Sequence, residues 1–273
     1  MKTAVQLKAL IRNLSVDKKV DAGVILRNFM QERFLERVSV SRYKDNFILK
    51  GGMLIASMVG IDSRATMDMD VTIKGRNLSE AEVAAIVGDI LNAPVDDNVM
   101  LAMRGIEEIR EESDYPGYRV SVETVFQKTR QMLKIDITTG DFVTPKEIEY
   151  HFRLMFEDRA IGIMAYNLET ILAEKFETVV TRGVTNTRMR DFYDIYILMQ
   201  TQAFDYDIFR LALKKTAEIR NSIEQINAPG AVIQAVSASV ALRDLWRRYQ
   251  NKYRYAAGVT WEMAIEALRN LDK

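Results

Sequence analysis

The chain has no cysteine and only one histidine, His151, among its 273 residues. The first absence excludes disulfide frameworks, thiolate metal sites and a cysteine nucleophile. The second excludes zinc sites built from several histidines. No apolar run approaches the roughly 18 residues that span a bilayer, and the N-terminus carries no secretory apolar core. A cytoplasmic protein with no membrane association is expected. An excess of either charge is also missing: Lys+Arg and Asp+Glu each number 38, so net charge points to neither a nucleic acid nor a membrane surface.

What remains is a chain 48% hydrophobic, enough for a large core in one or two domains. Charge is uneven along it. Residues 1–45 hold ten basic residues against five acidic ones, and residues 96–114 hold seven acidic against two basic. This asymmetry permits a basic groove on a neutral protein without establishing one.

The first 45 residues read as helical, with Val20, Val24, Phe29, Phe34 and Val38 spaced four to five apart. Phe47-Ile48-Leu49 is a short buried strand stopped by Gly51-Gly52, and residues 53–59 give one or two helical turns. Residues 79–92 suit an amphipathic helix capped by Ser79. Residues 118–126 and 130–138 alternate as strands, with 127–129 as a hairpin loop. Beyond Pro145 the pattern becomes helical, over 167–182 with Asn167 as cap, 187–201, 207–226, 231–255 and 260–271. The expected architecture is α+β: a mixed sheet with flanking helices in residues 1–165, then a helical domain in residues 166–273.

Three patches carry the chemistry. Asp68 and Asp70 are two apart in a strand-like run among Met67, Met69 and Val71, so both carboxylates would share one face. Paired carboxylates repel unless a cation lies between them, and Asp is disfavoured in strands. Asp136, in the apolar run 132–137, offers a third oxygen ligand. Hard divalent ions such as magnesium favour such oxygens and leave room for phosphates. Gly51-Gly52 between a strand and a helix start would let the backbone approach a phosphate, although a glycine pair there is more often only a turn. In the helical half, Leu168, Leu172 and Lys175 share adjoining faces. Arg190 and Asp194 stand at i,i+4, with Asp191 on a neighbouring face. Ordinary surface ion pairing, worth a few tenths of a kcal/mol, accounts for these residues equally well. His151 reads as structural, and the basic, aromatic stretch 242–255 as either an RNA contact or a solvated amphipathic helix.

Order and spacing together resemble the AbiEii/AbiGii-type nucleotidyltransferase-like toxins, within the polymerase-β-like nucleotidyltransferases. The matching motifs are Lys50-Gly51-Gly52, Arg64-x-Thr66-x-Asp68-x-Asp70, Lys134-Ile135-Asp136, Ala173-Glu174-Lys175 and Arg188-x-Arg190-Asp191-x-x-Asp194. Residues 1–45 and 200–273 match no motif. The resemblance implies a polymerase-β-like fold and transfer of NMP from an NTP to an RNA acceptor such as tRNA. It also implies a toxin accompanied by a separately encoded antitoxin. Asp68, Asp70 and Asp136 would bind two magnesium ions. Gly51, Gly52, Arg64, Thr66, Lys175 and Arg190 would hold the nucleotide, and Lys175, Asp191 and Asp194 would complete the catalytic set. Transfer to a small molecule or a protein hydroxyl, and a non-catalytic binding module of the same fold, are the alternatives.

Overall fold

The computed structural model describes residues 3–75, 78–109 and 117–272. The chain forms two compact units, residues 1–141 with 147–166, and residues 142–146 with 167–273. Among the described residues are seven strands and eleven α-helices, an α+β fold. No helix of the described residues is long and apolar enough to cross a membrane.

The first unit opens with helices α1 (Ala4–Lys18) and α2 (Ala22–Val40). The helical reading of residues 1–45 is met by these two helices. Lys19 takes a left-handed conformation (φ 54°) that ends α1, and the Asp21 side chain accepts from the N–H groups of Gly23 and Val24 to begin α2. Then follow β1 (Phe47–Lys50), α3 (Gly51–Val59), β2 (Met69–Ile73) and α4 (Glu80–Leu91). The expected Ser79 cap is present, with Glu82 bonding back as a capping box. Strands β3 (Val99–Ile109), β4 (Gly117–Phe126), β5 (Thr129–Thr139), β6 (Ile148–Arg153) and β7 (Ala160–Ala165) complete the sheet.

The sheet order is β3-β4-β5-β2-β1-β7-β6. Strand β2 runs parallel to β5 and antiparallel to β1, and β1 runs parallel to β7. Alternation makes the two faces unlike. Met69, Val71, Ile73, Leu133, Ile135, Ile137, Val120 and Val122 are buried on one face, where α2 and α4 pack. The other face carries the polar partners of these residues.

Three strands escape the sequence pattern. β3 lies at one edge with a register shift between Met103 and Gly105, which breaks its alternation within the acidic stretch 96–114. Residues 110–114 of that stretch lie outside the described residues. β6 and β7 lie between Pro145 and residue 166, within the domain expected to hold the sheet but in a stretch to which the sequence pattern assigned no element. His151 is exposed on β6, at the opposite edge of the sheet.

The second unit is helical, with α5 (Leu168–Arg182), α6 (Met189–Thr201), α7 (Tyr206–Ile219), α8 (Ile223–Asn227), α9 (Gly230–Ala238), α10 (Val240–Lys252) and α11 (Trp261–Leu271). Asn167 caps α5 as expected. The helices expected over 207–226 and 231–255 are each broken in two. Asn221 adopts φ 53° between α7 and α8, and Ser239 caps α10 by accepting from Leu242 N–H. Capping residues and left-handed turns ended these helices although apolar periodicity ran on.

Candidate active site

Pairing register builds the site. Asp70 on β2 faces Asp136 on β5 as a direct partner in the parallel ladder, about 4.8 Å away in backbone terms. Lys50 pairs with Asp70 across β1, Arg119 pairs with Asp136 across β4, and Glu107 pairs with Arg119 across β3. Five charged residues therefore form one row on the polar face of the sheet. The expected adjacency of the strands holding Asp70 and Asp136 is present. Asp68 sits one residue before β2 begins and is exposed. Of its neighbours, Met69 is fully buried but Met67 is 46% exposed, against the burial expected for both.

Burial pushes the Asp70 carboxyl above the usual carboxylate range, and the nearby charges of Asp136 and Asp68 push it further. The Lys50 charge and a hydrogen bond from Gly52 N–H oppose that rise. Lys50 is itself shared: its Nζ donates to Asp141 at 2.7 Å, and Thr138 Oγ1 donates to the same oxygen at 2.6 Å. Burial alone would raise Asp141, but Lys50 and the threonine hydroxyls hold it below the ordinary range. Asp141 takes up much of the lysine charge, which leaves Asp70 under-compensated.

The Gly51-Gly52 turn presses on this row. Gly51 has φ +67°, and a Cβ there would lie 2.7 Å from the Asp70 carboxylate carbon. A Cβ on Gly52 would lie 2.7 Å from Thr66 Oγ1 and 3.1 Å from an Arg64 guanidinium nitrogen. The glycines are thus required by close approach to Asp70, Thr66 and Arg64. Arg64 and Thr66 are both buried, and Arg64 Nη1 donates to Ala65 O at 2.6 Å. From behind, α2 holds the loop: Asn28 donates to Thr66 O and Gln31 to Met67 O, each at 3.2 Å.

Sequence reasoning missed several members of this site, Glu107 among them. Arg119 donates two bonds of 2.7 Å, one to each Asp136 oxygen. Asp141, Asn28 and Gln31 were also unforeseen. The alternation of Arg119 with buried Tyr118 and Val120 signals its face; nothing local signals the partner of Asp141.

Among the described residues no group of three or more His, Asp or Glu side chains stands ready to hold a metal ion. Magnesium seldom needs such a cage: one or two carboxylates with substrate phosphates and water suffice. Asp68 and the under-compensated Asp70 fit that requirement. Asp136 is engaged through both oxygens by Arg119, with a second lone pair left on each oxygen.

The second unit holds another cluster. Lys175 Nζ lies 2.8 Å from both Asp191 Oδ1 and Asp194 Oδ2, and Arg188 Nε lies 3.0 Å from Asp191 Oδ2. Burial would lower the Lys175 ammonium, but its two carboxylates win and raise it. The pair expected between Arg190 and Asp194 is replaced: Arg190 donates to Tyr253 Oη at 2.9 Å. Asp191 and Asp194 are buried, so ordinary surface pairing does not describe this cluster.

A family model described as nucleotidyl transferase AbiEii toxin, type IV toxin–antitoxin system, matches residues 33–267. The chain belongs to the AbiEii family. It is a nucleotidyltransferase, and a toxin by family. Two Helicobacter pylori structures are similar to this AbiEii-family chain, each at 15% identity. One carries the working assignment of nucleotidyltransferase (TM-score 0.50, covering 93% of this chain and 98% of its own). The other is JHP933 (TM-score 0.51, 93% and 95%). An antigenic nucleotidyltransferase-like protein from Paracoccidioides brasiliensis is more distant (12% identity, TM-score 0.40, 80% and 93%). At these identities the likeness concerns the fold. No curated protein sequence matches the chain.

Proposed function

We propose that the chain transfers a nucleoside monophosphate from an NTP to an RNA acceptor, tRNA, with magnesium, and that a separately encoded antitoxin counters it. The observation carrying this reading is the direct register of Asp70 with Asp136, with Asp68 two residues from Asp70 and Gly51-Gly52 against the same carboxylate. An acceptor hydroxyl attacks the α-phosphorus, the bond to the bridging oxygen breaks, and pyrophosphate leaves. Bound magnesium would neutralise the charge of the triphosphate during this displacement. Asp68 and Asp70 would hold it.

The remaining steps fall to side chains. Asp136 accepts the hydroxyl proton. Arg119 then keeps a positive charge beside the carboxylate row. The first turn of α3 offers backbone N–H groups to the triphosphate, with Arg64 and Thr66 fixing its path. Lys175, Arg190, Asp191 and Asp194 keep the nucleotide-handling roles that the resemblance implies.

The test incubates the protein with each labelled NTP, magnesium and total RNA, protein or small hydroxyl acceptors in parallel. Label on tRNA, lost in Asp70→Ala and on chelation, is the expected result. Label on protein or small acceptors alone rejects the RNA reading, and full activity of Asp70→Ala rejects the site. Rescue of growth by a neighbouring gene tests the antitoxin.

A further inference from the structure

The second unit carries an aromatic and basic surface at the end of α10 that the transfer chemistry leaves unused. Tyr253 and Tyr255 stack with centroids 5.5 Å apart and planes at 27°. Tyr249 lies 4.8 Å from Tyr253, its hydroxyl 3.0 Å from that of Tyr255, and Tyr193 backs Tyr255 at 4.9 Å. The rings are therefore fixed in place before any ligand arrives, while Tyr253 and Tyr255 keep partial exposure. The Arg190 guanidinium stands 5.3 Å and the Lys252 ammonium 5.4 Å from the Tyr253 centroid. Arg248, Lys252 and Arg254 are exposed and have no carboxylate partner among the described residues. Residues 240–256 contain a single acid, Asp244, which pairs with Arg247 at 3.3 Å.

We propose that this surface binds single-stranded RNA, with Tyr253 and Tyr255 taking bases and Arg248, Lys252 and Arg254 taking phosphates. Stacking on a tyrosine accepts any base, and flanking cations track the backbone. Arg248 and Lys252 stand one turn apart on the same side of α10, about 6 Å along its axis, a spacing suited to neighbouring phosphates of one strand. An acidic peptide would use the charges but has no need of ordered, partly exposed rings. This proposal rests on the RNA-acceptor reading, and binding is measured without NTP so that the two can fail separately.

The experiment follows fluorescence anisotropy of a short labelled single-stranded RNA against salt concentration. Arg254→Glu, at an exposed position, should weaken binding about tenfold and flatten the salt dependence by about one contact. Tyr253→Leu should weaken it by roughly tenfold or more, while Tyr253→Phe keeps wild-type affinity because the ring face remains. NTP affinity should be unchanged in Arg254→Glu. Wild-type binding with unaffected variants overturns this surface alone, whereas no RNA binding by the wild type overturns the acceptor reading with it. Equal loss of NTP and RNA binding in Arg254→Glu assigns the surface to the nucleotide substrate and overturns the proposal. Displacement of RNA by polyglutamate, with Tyr253→Leu binding as wild type, overturns it in favour of an acidic protein partner.

Discussion

Replacing Gly51 with alanine probes the contact between the glycine turn and the carboxylate row. Gly51 has φ +67°, so an alanine there carries the left-handed penalty of about 1–2 kcal/mol. Its Cβ would also lie 2.7 Å from the Asp70 carboxylate carbon and 2.8 Å from the Asp70 Cβ. Asp70 must move, and forced repacking of this kind costs about 1–3 kcal/mol. A combined loss of roughly 2–5 kcal/mol lowers the midpoint of a unit this size by about 4–20 °C. Gly75→Ala is the control for backbone strain alone, because Gly75 has φ +88° and nothing lies within 4 Å of where its Cβ would stand. Scanning calorimetry on Gly51→Ala, Gly75→Ala, Asp70→Ala and the Gly51→Ala/Asp70→Ala double variant separates the two terms. The double variant should recover the part of the crowding that comes from the carboxylate, while the contact with the Cβ of residue 70 at 2.8 Å stays, giving a coupling energy of about 1 kcal/mol. Nucleotidyl transfer should disappear in Gly51→Ala because Asp70 is displaced. A Gly51→Ala protein no less stable than Gly75→Ala, and fully active, would refute this account of the turn.

Other expectations follow from buried polar groups. Burial raises Glu32 from 4.5 to about 8, against the opposing Met155 N–H and Arg33. The folded state therefore holds a proton that the unfolded chain releases, and stability falls as pH rises from about 4.5 to about 8, by on the order of 5 kcal/mol in all. Glu32→Gln should flatten that decline in thermal midpoint; parallel profiles for the two proteins would count against it. Lys175→Met leaves Asp191 and Asp194 buried without their shared cation, a loss of about 3–5 kcal/mol in chemical denaturation; a change of a few tenths would restore the surface-pair reading. Asn28→Ala removes the bond to Thr66 O, which should cost about 1–2 kcal/mol and lower kcat more than NTP affinity, since the loop carrying Asp68 loses its support. An unchanged kcat in Asn28→Ala would show that the loop holds its position without α2.

Much of this protein is written in short-range pattern. Period-two alternation marks β4 and β5, and the side-chain period fixes which face Asp70 and Asp136 occupy once those strands exist. Ser79 and Asn167 mark their helix starts because a cap is a local hydrogen bond. The family is legible for the same reason: its motifs are runs of a few residues in fixed order. What the sequence leaves open is every relation between distant segments. The four-strand row Lys50–Asp70–Asp136–Arg119 depends on β2 pairing with β5 across some 65 residues of chain, and no local signal specifies that pairing. The edge strand β3 was hidden because a register shift and one solvated face leave it no clean alternation. On α2 the charged residues Glu32, Arg33, Glu36 and Arg37 stand between the apolar positions in sequence and are buried. Arg33 lies within 2.9 Å of both Glu36 and Glu157, and Arg37 bonds both oxygens of Asp97. A charge tolerates burial only where a partner from elsewhere in the chain meets it, and only tertiary structure decides which partner does.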